Sequence, residues 1–286
     1  MKTQADKLRQ IVGEKTSDTK IIAITSGKGG VGKSTLAANI SNLLASQGYR
    51  VAVFDADIGL ANLDIIFNVK ASKNLLNVLK GEASLQEVVI EVKENLLLIP
   101  GESGDEIFDF NNQVILDRFM EEASFLDSLD YLIIDTGAGI GHNVQLFLEE
   151  ADEVIVITMP DPSAITDAYA TIKVTSQINS HINLILNHVS NQEEGNLIFN
   201  KIKNVATNNL DNSLELHYLG ALSDDKTISN ASKYRLLFTQ EYPNSVSTFE
   251  LNEIIQNLVH KVEHKVLNPK VRKSFAVFVR RLIEKF

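Results

Sequence analysis

The chain has 286 residues, 44% of them hydrophobic, and a formal net charge of −10 at neutral pH. That is enough for one large α/β core. It has no cysteine, which excludes disulfides, thiolate metal sites, cysteine nucleophiles and iron–sulfur clusters. The acidic balance argues against a broad nucleic-acid-binding surface.

No apolar run approaches the ~18 residues of a membrane span. Met1-Lys2-Thr3-Gln4 lacks the apolar stretch of a secretory signal, so a cytoplasmic protein is expected. His260 and His264 have the i, i+4 spacing of a helical metal pair, but Lys261 follows where a zincin helix has Glu. A solvated helix face accounts for them better.

In chain order, residues 1–19 are polar and end in the linker-like Glu14-Lys15-Thr16-Ser17-Asp18-Thr19. Apolar runs then predict strands at Ile21–Thr25, Val51–Asp55, Leu96–Ile99, Tyr131–Asp135, Val154–Thr158, Asn183–Leu186 and Leu216–Leu219. Helical periodicity fills most gaps, at Lys33–Gln47, Asn74–Leu79, Val114–Leu126, Val144–Glu149, Ala164–Gln177, Leu197–Asn208 and Phe249–His264. This alternation predicts an α/β fold, a mostly parallel central sheet with helices on both faces. Functional residues should gather at the carboxyl ends of the strands.

The segment Gly27-Lys28-Gly29-Gly30-Val31-Gly32-Lys33-Ser34-Thr35 fits the phosphate-loop pattern G-x-x-x-x-G-K-[ST] between a strand and a helix. Its glycines let backbone N–H groups face phosphate oxygens, and the helix N-terminus adds favourable partial charge. Lys33 should reach the β- and γ-phosphates of ATP, and the Ser34 hydroxyl should bind Mg²⁺. Tyr131-Leu132-Ile133-Ile134-Asp135 reads as a Walker B strand end, whose acid orients Mg²⁺-bound water.

The last predicted helix lies in Asn268–Phe286, with Asn268 as cap and Pro269 at its first position. Phe275, Phe278, Val279, Leu282, Ile283 and Phe286 fall on one arc, with Lys273, Arg280, Arg281 and Lys285 off it. Lys270–Phe286 holds six Lys or Arg and one Glu. A basic amphipathic helix of this kind reads as one lying on an anionic membrane surface. The alternative is a helix docked on its own domain.

The second lysine, Lys28, narrows the family. Lys28-Gly29-Gly30-Val31-Gly32-Lys33-Ser34-Thr35 resembles the deviant Walker A loop of the MinD/ParA ATPases. The resemblance covers residues 20–266 and implies a slow regulatory ATPase that forms an ATP-dependent homodimer. It makes Lys28 a catalytic cation that crosses to the partner's nucleotide, with a role like an arginine finger. The segment Val51–Leu63 resembles the family's switch I. By that match Asp55 supports the Mg²⁺ shell, Asp57 positions the attacking water, and Asn62 lies near the nucleotide across the dimer. Thr136-Gly137-Ala138-Gly139-Ile140 resembles switch II, with Gly137 where the family usually has proline and Gly139 as the γ-phosphate sensor. Asn187 matches an asparagine that holds adenine; a turn residue is the other reading. Pro160-Asp161-Pro162-Ser163 matches a segment near the dimer interface; a helix cap at Ser163 is the other reading.

Gln4-Ala5-Asp6-Lys7-Leu8-Arg9 resembles the amino-terminal D-Q-A-x-x-L-R signature of the FlhG family (also called FleN or YlxH), with Thr3 replacing the acid. These MinD-like ATPases control flagellar number and placement. The resemblance implies that Gln4, Leu8 and Arg9 engage FlhF, an SRP-type GTPase. It also suggests flagellar switch (C-ring) proteins or a transcriptional regulator as partners, and a peripheral position on the cell membrane, with the cell pole one candidate address. No specific nucleic acid is expected. The expected organisation is a tail at 1–19, an ATPase domain at 20–266 and a membrane-targeting helix at 267–286. Cell-division MinD and DNA-partition ParA are the alternative functions.

Overall fold

The computed structural model describes residues 19–57, 62–101, 113–210, 214–263 and 274–285. Gln4, Leu8, Arg9 and Phe286 lie outside them. Eight strands form one sheet: β1 Lys20–Ser26, β2 Val51–Ala56, β3 Ile90–Lys93, β4 Leu96–Ile99, β5 Tyr131–Ala138, β6 Glu153–Thr158, β7 His181–Val189 and β8 Glu215–Ser223. Their order is β3-β4-β2-β5-β1-β6-β7-β8. All neighbours run parallel except β3, which pairs antiparallel with β4 at one edge. β2 and β6 are buried along their whole length, as strands covered on both faces must be.

The helices divide between the two faces. One face is packed by α1 Lys33–Ser46, α9 Lys226–Lys233, α10 Phe238–Glu241 and α11 Val246–Glu263. The other is packed by α3 Leu75–Leu79, α4 Leu85–Val88, α5 Gln113–Glu122, α6 His142–Glu150, α8 Gln192–Asn209 and α12 Phe275–Glu284. α2 Leu63–Ile66 follows β2, and α7 Pro162–Thr175 follows β6. Periodicity does not reveal β3, α2, α4, α9 or α10, which are too short or too polar to show a period. Among the described residues no helix is long and apolar enough to cross a membrane.

In this structure the apolar arc of the last helix, expected to face a membrane, is packed on the chain itself. Phe275, Phe278, Val279, Leu282 and Ile283 are buried against the protein's own core. Phe275 sits beside Phe54 of β2 and Phe119 of α5, with ring centroids 6.4 and 6.0 Å apart, and Phe278 stacks on Phe147 of α6 at 6.4 Å. The basic side is satisfied too. Arg281 reaches Glu150 at 3.3 Å, and Lys285 reaches Glu150 at 2.6 Å and Glu149 at 2.8 Å. Ser274 caps the helix through the Val277 N–H. An amphipathic arc specifies an apolar contact without saying whether lipid or protein supplies it, and an aromatic groove removes the same area from water.

Phe278→Ala should therefore cost about 3 kcal/mol, or roughly 6–12 °C in thermal midpoint, whereas Leu197→Ala on the exposed side of α8 should change it by less than about 0.5 kcal/mol. A midpoint unchanged in both variants, measured by calorimetry, would show that α12 adds little to the folded state.

Candidate active site

The phosphate loop runs from the end of β1 into α1. Gly32 has φ 92°, and a Cβ there would meet the Asn187 amide nitrogen at 2.4 Å, so both backbone and space require glycine. Val31 is buried, Gly29 and Gly30 are exposed, and Gly27, Lys28, Ser34 and Thr35 are half-buried. A Cβ on Gly29 or Gly30 would meet nothing within 4 Å.

Three adjacent strands bring the charged groups together. Asp55 and Asp135 are register partners on β2 and β5, and Ile24 of β1 is the other partner of Asp135. Lys33 is buried and donates from Nζ to Asp135 Oδ1 at 2.7 Å. The same Nζ lies 3.7 Å from Asp57 Oδ2 and 3.4 Å from Ser34 Oγ. Burial pushes the Asp135 carboxyl above its ordinary value, opposed by Lys33 and the Ser34 hydroxyl. Asp55 Oδ2 accepts the N–H groups of Asn62 and Leu63 at 3.1 and 3.0 Å, closing the return of the switch I segment. Its carboxyl is pushed up to about 6, chiefly by burial and further by Asp135, with the Leu63 N–H opposing.

Two carboxylates and a hydroxyl are hard oxygen donors. They suit Mg²⁺, which keeps water and phosphate as its remaining ligands. Among the described residues no group of three His, Cys, Asp or Glu forms an all-protein metal cage. Ser34, Asp55 and Asp135 therefore fit a cation that arrives with a nucleotide.

Other expected site residues stand differently. Lys28 Nζ reaches Ser163 Oγ at 2.6 Å and Asp161 Oδ1 at 3.2 Å within the same chain. Asp161, not Ser163, caps α7: it accepts the Ala164 N–H at 3.0 Å. The reason is Pro162, which takes the first helical position and biases the residue before it to extended backbone. Asp161 is held down at about 2, first by the Ser163 hydroxyl, then by the Ala164 N–H and Lys28. Asn187 is buried and its amide is already engaged: Nδ2 donates to the Val31 carbonyl at 2.9 Å, and Oδ1 accepts the His188 N–H at 3.0 Å. The open adenine-reading edge expected of it is thus turned onto the phosphate loop. The Gly139 N–H donates to the Ser26 carbonyl at 2.7 Å, which ties switch II to the base of the loop. Asn62 is exposed. A Cβ at Gly137 would lie 3.3 Å from Asp57 Oδ1. Gly137, in the place of the family's usual proline, thus lies directly beside the Asp57 carboxylate.

Comparison with known proteins fits this geometry. The ParA family profile, described as NUBPL iron-transfer P-loop NTPase, matches residues 17–259. Flagellum site-determining protein YlxH of Helicobacter pylori is 45% identical over 294 residues, which cover 99% of each chain. The chain belongs to the FlhG branch of the MinD/ParA family of P-loop NTPases. Antiactivator FleN of Pseudomonas aeruginosa is 30% identical over 93% of this chain and 94% of its own. Among solved structures, MinD with Mg-ADP from Pyrococcus horikoshii superposes with a TM-score of 0.67 at 24% identity, covering 87% of this chain and all of that one. With no cysteine in this FlhG-branch chain, the iron-transfer part of the profile's description does not extend to it.

The buried Asp55 carries a pH signature. Its carboxyl is raised from an unfolded value of roughly 3.9. The contribution to stability is thus complete below about pH 4 and is lost as pH rises through about 6. Asp55→Asn, which can still accept the Asn62 and Leu63 N–H groups, should be about 3 kcal/mol more stable than wild type at pH 7.5 and equal to it near pH 4. Urea denaturation at several pH values checks this; a difference independent of pH would refute it.

Proposed function

We propose that the chain is an FlhG-type ATPase switch controlling flagellar number and placement. The carrying observation is the two-lysine phosphate loop, with Lys33 among Asp57, Asp135 and Ser34, in a chain alike over nearly its full length to YlxH. The phosphate loop and Lys33 bind ATP. Ser34 and Asp135, supported by Asp55, would hold Mg²⁺, which would supply charge neutralisation at the phosphates. Asp57 accepts a hydrogen bond from the attacking water and orients it. Lys28 leaves Asp161 and Ser163 and crosses to the nucleotide of a second copy, so two sites complete each other in a dimer. Loss of the γ-phosphate releases the switches and returns the monomer.

Membrane attachment uses α12. The face that would meet lipid is the one packed on Phe54, Phe119 and Phe147, so attachment requires undocking, and protein and lipid compete for it. Phe54 directly precedes Asp55, and α6 follows the switch II segment. That adjacency supports a link between nucleotide state and docking. Two helices on one dimer bind a vesicle better than one by avidity. Residues 1–19 engage FlhF, with the Gln4 amide orienting a hydrolytic water, and Leu8 and Arg9 holding the partner. A cell-division role like that of MinD is the second reading, favoured by Neisseria meningitidis MinD, 41% identical over 154 residues but only 52% of this chain.

Light scattering with Mg²⁺ATP should show a dimer. Lys28→Ala should keep nucleotide binding but lose dimer and turnover, because Lys33 and the loop remain. Asp57→Ala should hold the dimer without turnover and sediment with anionic liposomes only when residues 271–286 are present. Monomers throughout would refute the switch.

The FlhG assignment has its own test. A peptide of residues 1–19 should stimulate the FlhF GTPase, Gln4→Ala should abolish this, and Lys33→Ala in the intact chain should retain it. No stimulation by peptide or intact chain would leave a MinD-like ATPase of another role.

A further inference from the structure

Among the described residues four non-glycine positions have left-handed backbone: Asn68, Asn95, His188 and Arg235. Asparagine and histidine are common there. Arg235, at φ 55°, is the unusual one. It shares a cavity of about 250 Å³ with Asn68, and the apolar walls are Ile66, Phe67, Val92 and Leu236. The turn that carries it is fixed by backbone bonds from Tyr234 and Leu236 to Ala231 and from Arg235 to Ser232. It exposes Tyr234 and Leu236, at 74% and 41%. Lys233 and Arg235 form no ion pair among the described residues, although the chain as a whole is strongly acidic.

We propose that the Tyr234–Leu236 turn and this cavity are a docking surface for a partner protein that presents an acidic side chain beside a bulky aliphatic one. Tyrosine and arginine on a rigid turn are the residue types that dominate protein interfaces. The aliphatic side chain enters among Ile66, Val92 and Leu236. The carboxylate pairs with the Arg235 guanidinium in the two-point geometry that lysine does not offer. Glu241, on the cavity wall, repels an acid placed at its own end, which fixes the orientation. A cavity with both apolar and polar walls, carrying Lys93 and Arg235 on its lining, suits a peptide better than a nucleic acid, which needs a longer basic track.

Arg235 takes the left-handed position that ends α9, with the Leu236 N–H bonded to the Ala231 carbonyl and its own N–H to Ser232, so the helix cap accounts for its backbone and fixes the turn that presents Tyr234, Arg235 and Leu236. The cavity also touches switch I. Ile66 and Phe67 continue α2, whose first N–H, that of Leu63, is held by Asp55, so an occupant pushes on the helix that begins at the magnesium-supporting acid.

The test uses the full chain with labelled Ile, Leu and Val methyl groups and two acetylated ten-residue peptides, one alternating Glu and Leu, the other Lys and Leu. The Glu–Leu peptide should shift the Ile66, Val92 and Leu236 methyls and bind at least tenfold tighter than the Lys–Leu peptide. Arg235→Gly should raise the thermal midpoint, which shows an intact fold, yet weaken the Glu–Leu peptide at least tenfold. Absence of methyl shifts, or equal binding by Arg235→Gly, would overturn the proposal. So would a 12-nucleotide single-stranded DNA that produces the same shifts and competes with the peptide.

Discussion

A single ammonium group among carboxylates organises the catalytic end of this molecule. Lys33 is 7% exposed, with Asp135 at 2.7 Å and Asp57 at 3.7 Å. A buried charge must be compensated, and carboxylates converging on one place repel unless a cation lies between them. The sheet order places the parts: β1 lies between β5 and β6, and β2 lies on the far side of β5. The loop lysine thus arrives beside acids that end two other strands. Asp55 and Asp135 are cross-strand partners, and burial raises both. They favour a divalent cation because the sheet already holds them together at a cost.

The same sheet carries the second device on its opposite face. Phe54 points into the groove filled by α12, while the next residue, Asp55, points to the site, because successive strand residues face opposite sides. α6 likewise lies against α12 through Phe147 and is joined to Asp135 by the switch II turn. Neither wall of the groove is independent of the acids. A shift at the carboxyl ends of β2 and β5 changes the shape of an aromatic pocket, and close-packed pockets respond to small displacements.

Much of this was legible in the sequence. The long apolar strands, the phosphate loop and both acid-ended strands follow from runs and spacing that local sequence contains. What was not legible depends on distant packing. Lys28 meets Asp161 across 133 positions, a contact set by β1 lying next to β6. Asn187 looks like a free amide until the fold puts Val31 beside it. α9 escapes periodicity because only Ile228 and Ala231 of its eight residues are buried. The terminal helix shows the limit most clearly, since its pattern gives the apolar arc but not what lies against it.

The two partners available to that arc have different consequences. Burying five large apolar side chains in the groove contributes on the order of 10 kcal/mol before ordering costs. Lipid offers comparable apolar contact but only at the depth of the headgroup boundary. Docking on protein therefore wins for a single chain unless the groove is altered. Glu149 and Glu150 strengthen that preference by occupying Arg281 and Lys285, two of the cations that anionic lipid would attract. Lipid gains the advantage only if the groove loosens and two helices act together. Those are the two effects a nucleotide-driven dimer would supply, so membrane attachment need not be encoded in the helix alone.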